Sequence, residues 1–220
     1  MRNGTVRAVT AGWDAAEVRR SLDAAISSHA ALVSWLGALD PVDPATSSLL
    51  PGWSIGHVLT HIARNADSHR SMLAGRPQYP GGREQRDGDI EAGASREWSV
   101  LIDDVAAACA ALEAEWAGRT DWSGVADRRA GARPIQQLPA LRQREVEVHR
   151  TDLGLGYTFA DMPSEFVRRQ LAAMEMLWRA SKPMGMTALP KPALMAAPPQ
   201  RLAWLMGRAD IEGLTPAGIF

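Results

Sequence analysis

Apolar residues recur along this chain at spacings of three and four far more often than they alternate, which is the period of amphipathic helices and not of half-buried strands. A first helix is expected from Asp14, whose carboxylate can cap the AAEV that follows, through Leu22, Ile26, Leu32, Val33 and Leu36. It must end by Asp40, ahead of Pro41 and Pro44. DPVDPATSSLLPGW reads as a loop, after which Ser54 caps a second helix, SIGHVLTHIARNADSHRSMLAG, that Gly75 and Pro77 terminate. Residues 76–89, rich in Pro, Gly and charge, read as a surface loop. A third helix is expected over about 90–117 with Ile90, Leu101, Ile102, Val105, Leu112 and Trp116 on an alanine-rich frame. The polar loop GRTDWSGVADRRAGARP leads to a fourth helix from about Ile135 to Leu153, and a fifth runs from Pro163 to about Ala180. Five prolines follow in KPMGMTALPKPALMAAPP, and only one short helix, QRLAWLMGR, is expected after them.

These elements specify an all-α fold: a four-helix bundle over residues 1–160 and a smaller, less regular α or α+β unit over 161–220. A length of 220 residues with 46% hydrophobic side chains is enough for one sizeable core plus an appendage. The balance of 24 Lys plus Arg against 25 Asp plus Glu removes the broad basic surface that drives nucleic-acid binding. No apolar run reaches the roughly 18–20 residues of a bilayer span, and MRNGTVRAVTAGWD lacks the apolar block of a secretory signal, so neither membrane nor export is expected. With a single cysteine, Cys109, no intrachain disulfide can form, which suits a reducing, cytoplasmic location.

The candidate chemistry sits on the fourth helix. At 100° per residue, Leu138, Leu141, Glu145, His149 and Leu153 fall on one stripe, and Glu147 points nearly the opposite way. A carboxylate and an imidazole thus occupy a face that should be buried, one turn apart and able to hold the same ion. On the second helix His57 falls almost opposite the stripe of Ile55, Leu59, Ile62, Ala66 and Leu73, whereas His61 lies on its flank beside Asn65. His61, Glu145 and His149 would make a His, Glu, His set with an open position, the pattern of catalytic zinc. The plainer alternative pairs Glu145 with Arg142 or another arginine and leaves His149 as a satisfied core histidine. His29 and His69 read as surface or bundle-flank residues, Cys109 as packing, and the tryptophans at 13, 35, 53, 116, 178 and 204 as core and helix anchors.

LPGWSIGHVLTHIARNADSH, LRQREVEVHRTDLGLGYTFADMPSEFV and RLAWLMGRADIEGL resemble the mycothiol-dependent maleylpyruvate isomerase family, whose N-terminal portion is a DinB-like four-helix bundle. The resemblance covers most of the chain. It implies a divalent metal, usually zinc, held by His61, Glu145 and His149, with mycothiol as cosubstrate and a small acidic substrate. It further implies that Arg208, after WL and Gly, binds that substrate and takes part in catalysis; the alternative is that Arg208 caps the short helix. Asn65, one turn from His61, is expected to contact the ligand or a metal-bound water. The activity implied is cis to trans isomerisation of maleylpyruvate to fumarylpyruvate. Alternatives are a mycothiol S-transferase acting on an electrophile and a non-catalytic binding or stress protein on the same bundle. The chain departs from longer members in its short, proline-rich segment before QRLAWLMGR, from which a reduced C-terminal unit is expected.

Overall fold

The structure is a computed structural model that describes residues 14–182 and 188–218; Trp13 and part of the proline-rich stretch lie outside the described residues. The chain divides into two compact units after Leu153. The first contains α1 (Ala15–Gly37), α2 (Ile55–Leu73), α3 (Gly82–Ala94), α4 (Trp98–Ala117), a two-residue antiparallel pairing of β1 (Val125–Ala126) with β2 (Arg133–Pro134), a 3-10 turn over Ile135–Gln137 and α5 (Leu138–Asp152). The second contains α6 (Ser164–Ala180), α7 (Lys191–Met195) and α8 (Pro198–Leu205). Among the described residues no helix is long and apolar enough to cross a membrane.

Helices α1, α2, α4 and α5 form the four-helix bundle, α2 packing on α4 and α5, and α1 on α4 and α5. Their shared core is Leu32 and Leu36 of α1, Val58, Leu59 and Ile62 of α2, Leu101, Val105 and Leu112 of α4, and Leu138 and Val146 of α5. Helix α1 starts where Asp14 Oδ1 accepts the Glu17 N–H at 2.7 Å. Helix α2 starts on a capping box in which His57 takes the place usually held by Glu or Gln: Ser54 N–H donates to His57 Nδ1 at 3.2 Å, and the His57 N–H to Ser54 Oγ at 3.4 Å. His57 Nε2 stands 3.1 Å from Glu91 of α3, so this histidine is occupied structurally.

The first departure from the sequence reading lies between α2 and α4. The expected loop over 76–89 becomes helical from Gly82, and the expected helix over 90–117 is two helices separated at Ser95. Polar α3 is held to α2 by close backbone approach. A Cβ at Gly56 would lie 1.9 Å from the Ala94 carbonyl oxygen, and one at Gly93 would lie 2.5 Å from Thr60 Cγ2, so glycine at both positions lets the helices touch.

In the second unit α6 packs on α8 through Phe166, Met174, Trp178, Leu202 and Trp204, with the two indole rings 6.5 Å apart. Arg201 bridges Glu175 at 3.0 Å, and Trp204 Nε1 donates to the Thr215 carbonyl. No strand occurs in this unit among the described residues, and the short helix α7 is an element beyond those expected. Arg208 is exposed just past α8, its Nη1 donating to the Met206 carbonyl at 3.0 Å.

Candidate metal centre

Helices α2 and α5 bring three side chains together. His61 Nε2 lies 3.1 Å from His149 Nε2 and 3.4 Å from Glu145 Oε2, and His149 Nε2 lies 3.5 Å from the same carboxylate oxygen. Ligands about 2.0–2.2 Å from a tetrahedral ion stand about 3.3–3.6 Å from one another. The triangle therefore has the dimensions of one face of a zinc-type coordination shell, and two imidazoles with a carboxylate are the donor set such an ion takes. Among the described residues this is the one group of His, Cys, Asp or Glu able to hold a metal. His61 is buried, while Glu145 and His149 are partly open to solvent.

The charge state suits ligation. Burial favours the neutral form of Glu145, but N–H groups of His149 and His61 outweigh it and hold the carboxyl well below the usual carboxylate range. Burial, reinforced by the charge of His149, drops His61 to about 4, so it is neutral at pH 7. In His149 burial works downward, yet Asp152 and Glu145 outweigh it and the imidazole is raised above its ordinary value. His149 thus binds a proton more readily than a free imidazole, and a metal at Nε2 would compete with that proton.

Around the triangle stand residues that orient it. His149 Nδ1 pairs with Asp152 Oδ2 at 2.9 Å, the carboxylate–histidine arrangement that fixes a ligand imidazole. Asn65 Nδ2 reaches Glu145 Oε2 at 3.4 Å, and Asn65 Oδ1 accepts from Arg142 Nη1 at 2.8 Å. Trp53 meets His61 edge to face at 5.5 Å. On the outer side Arg86 Nη2 lies 3.3 Å from His61 Nδ1.

Several placements differ from the helical projection. Glu147 is buried and accepts from Ser28 Oγ at 2.5 Å, whereas Leu141, Glu145 and His149 are only partly covered. The buried residues of α5 include Leu138, Arg142, Val146, Glu147, Arg150, Thr151 and Asp152, so the helix has no single solvent face, and the triad lies where the packing opens. His29 and His69 are buried and not on the surface. Trp116, Trp178 and Trp204 are core residues, but Trp53 borders the triad and Trp35 is half-buried under Arg150. Cys109 is buried, and burial raises its thiol despite Arg142 Nη2 at 3.4 Å. Asp152 and Arg86 did not emerge from the sequence. Asp152, three residues after His149, carried a spacing signal; Arg86 was hidden by reading its helix as a loop. Arg208 belongs to the second unit and is described there by itself.

Residues 26–154 match the family model for the mycothiol maleylpyruvate isomerase N-terminal domain. The fold is similar to the crystal structure of the mycothiol-dependent maleylpyruvate isomerase, with 23% sequence identity, a TM-score of 0.76, and 87% of this chain and 90% of that chain covered. It is equally similar to a histidine-to-alanine mutant of that enzyme, at 22% identity and a TM-score of 0.77 over the same shares. No curated protein matches.

Proposed function

The chain belongs to the mycothiol maleylpyruvate isomerase N-terminal domain family, and from that premise we propose that it is a metal-dependent enzyme using mycothiol as cosubstrate to isomerise maleylpyruvate to fumarylpyruvate. The observation that carries this reading is the triangle of His61 Nε2, Glu145 Oε2 and His149 Nε2, with sides of 3.1, 3.4 and 3.5 Å. These three residues would hold the ion, taken to be Zn2+. Bound there, a divalent cation supplies the Lewis acidity that keeps a thiol deprotonated near neutral pH.

The protein's own residues prepare that chemistry. Asp152 holds the His149 ring with Nε2 toward the triangle, and Asn65, anchored by Arg142, steadies the Glu145 carboxylate. We place Asn65 in substrate binding through Glu145, because both ends of its amide are engaged within the protein. The chain need not supply a nucleophile, since its only thiol is buried and raised in pKa. The cosubstrate sulfur adds to the conjugated cis double bond, the resulting single bond rotates, and elimination of the same sulfur leaves the trans acid, with the thiol regenerated. Arg208 is assigned the binding of a substrate carboxylate, and with it a catalytic role, on the family resemblance.

The deciding experiment incubates zinc-loaded protein with maleylpyruvate, with and without mycothiol. Fumarylpyruvate is expected only when the thiol is present. Zinc-loaded protein that gives no thiol-dependent trans product overturns the isomerase, and stoichiometric consumption of the thiol by an electrophile makes it an S-transferase.

A further inference from the structure

Arg86 is a cation placed at the edge of the triad by a helix that contributes little else to the core. Its Nη1 donates to Asp87 Oδ1 at 2.6 Å, and its guanidinium carbon lies 5.7 Å from the Trp53 ring centroid and 5.9 Å from that of Tyr79. Its Nη2 faces His61 Nδ1 at 3.3 Å. A guanidinium can only donate, and a neutral imidazole carries one N–H. When the Nε2 lone pair of His61 is turned to the triangle, the N–H sits on Nδ1 and meets a donor. Arg86 therefore cannot do for His61 what Asp152 does for His149. With the His61 N–H on Nε2 toward Glu145, Arg86 Nη2 donates to Nδ1; an ion drawing on the Nε2 lone pair would move the N–H to Nδ1 and leave that Arg86 donor free for an acceptor from outside the chain.

A second cation stands nearby. Arg128, in the turn between β1 and β2, is half-buried, and among the described residues no carboxylate lies within ion-pair distance of it. Burial and the like charge of Arg144 disfavour its charged form, while Glu145 and Tyr79 act in the other direction. The loop carrying Tyr79 is tied to that turn, Gln78 N–H donating to the Asp127 carbonyl at 2.9 Å and Arg129 N–H to Gln78 Oε1 at 3.1 Å. Arg86 and Arg128 thus share Tyr79 as a neighbour, while Asp87 is already on Arg86 and Glu145 is already held by two histidines.

We propose that Arg86 and Arg128 form an anion-binding wall beside His61, Glu145 and His149 that takes a carboxylate of a small dicarboxylic, α,β-unsaturated substrate. A guanidinium held between two aromatic rings offers the paired N–H geometry that a carboxylate accepts. A dicarboxylate has a second acid group, so the wall need engage only one end of it. The inference rests on reading the triad as the metal site of an enzyme for an acidic electrophile.

The test titrates the zinc-loaded full chain with maleate, without thiol so that nothing turns over, following heat and the fluorescence of Trp53 beneath Arg86. Arg86→Gln is expected to keep its zinc and to bind maleate at least 10-fold more weakly. Arg86→Lys recovers part of the loss because the charge stays and the fork goes, and Arg128→Gln loses a smaller factor. Should Arg86→Gln fail to fold, Arg128→Gln, on a turn outside the bundle, carries the same test. Wild-type protein that holds zinc but ignores maleate, or variants with unchanged maleate affinity, overturn the wall. Protein that binds maleate through both arginines without ever holding zinc keeps the wall and removes the metal reading.

Discussion

Two polar clusters of the bundle are joined by one asparagine, and they differ in how their hydrogen bonds close. Around Arg142, fully buried, the protein answers nearly every donor: Nε donates to His29 Nε2 at 3.0 Å, Nη1 to the Ile62 carbonyl at 2.9 Å and Asn65 Oδ1 at 2.8 Å, and Nη2 to Cys109 Sγ at 3.4 Å. His29 in turn pairs with Glu113 at 2.8 Å. Across Asn65, the triad has the opposite character, with two imidazole nitrogens and a carboxylate oxygen pointing at one another. Two ring nitrogens and a carboxylate oxygen that converge are held together only by protons or a cation between them, whereas an arginine with its donors answered needs nothing more. Burial alone does not separate a site from scaffolding; the direction in which lone pairs converge does.

The comparison breaks most severely at its closed half. Arg142→Ala removes a buried cation, leaves His29 Nε2 and Asn65 Oδ1 without donors and opens a cavity, so a loss of about 3–5 kcal/mol is expected in urea unfolding. Next in size is acid sensitivity. Burial, opposed only partly by Glu113, lowers His29 to about 4 from an unfolded value of 6.5. Between those two values the unfolded chain binds the extra proton, so stability is present in full above pH 6.5 and drains away as pH falls toward 4, by up to about 3 kcal/mol. His29→Gln keeps one donor and one acceptor without titrating. Unfolding midpoints measured with a chelator from pH 7 to pH 4 should then fall less steeply in the variant than in the wild type; equal slopes would show that His29 is not buried neutral.

What the sequence yielded and what it withheld follow from the same contrast. Helices α1, α2 and α5 declare themselves because apolar residues and start signals repeat with the helical period, and Asp14 and Ser54 cap where they were expected to. Helix α3, GREQRDGDIEAGA, buries only Ile90, Gly93 and Ala94, so no apolar stripe marks it, and its hold on α2 comes from glycines that a hydrophobic pattern does not register. Overlooking α3 concealed Arg86. The projection of α5 selected Glu145 and His149 but assumed one buried face, whereas packing against both α1 and α2 also covers Arg142, Glu147 and Asp152. His29 was legible in principle, since it stands with Ala25, Leu32 and Leu36 on the core stripe of α1. A polar residue on an apolar stripe marks a buried network, and only the partners from other helices tell a closed one from a site.

The open half of the comparison predicts metal dependence. His61→Ala removes one of the three proposed ligands and should weaken zinc at least 100-fold, read as lost stoichiometry after gel filtration. Because His61 is not among the donors or acceptors around Arg142, apo-state stability should change far less than in Arg142→Ala. Retention of one zinc per chain by His61→Ala would place the ion elsewhere.

The smallest effect sharpens the contrast most. Asp152 lies outside the triangle and contacts His149 only through Nδ1, at 2.9 Å, so Asp152→Asn tests whether the open cluster is tuned as a ligand set. The substitution keeps shape and an acceptor but removes the negative charge that raises the imidazole's basicity. Zinc affinity is expected to fall 10–100-fold, within the range such outer partners contribute. Two measurements separate this from simple loss of structure. The pH at which half the zinc is released should change along with the affinity, because ligand basicity sets the competition between proton and metal. The urea midpoint of the chelated protein should also shift by less than it does for Arg142→Ala, because Asn can still accept from Nδ1–H. An Asp152→Asn protein with unaltered zinc affinity would mean that His149 is oriented by packing alone, and the carboxylate would then belong with Arg142 among the closed, structural groups.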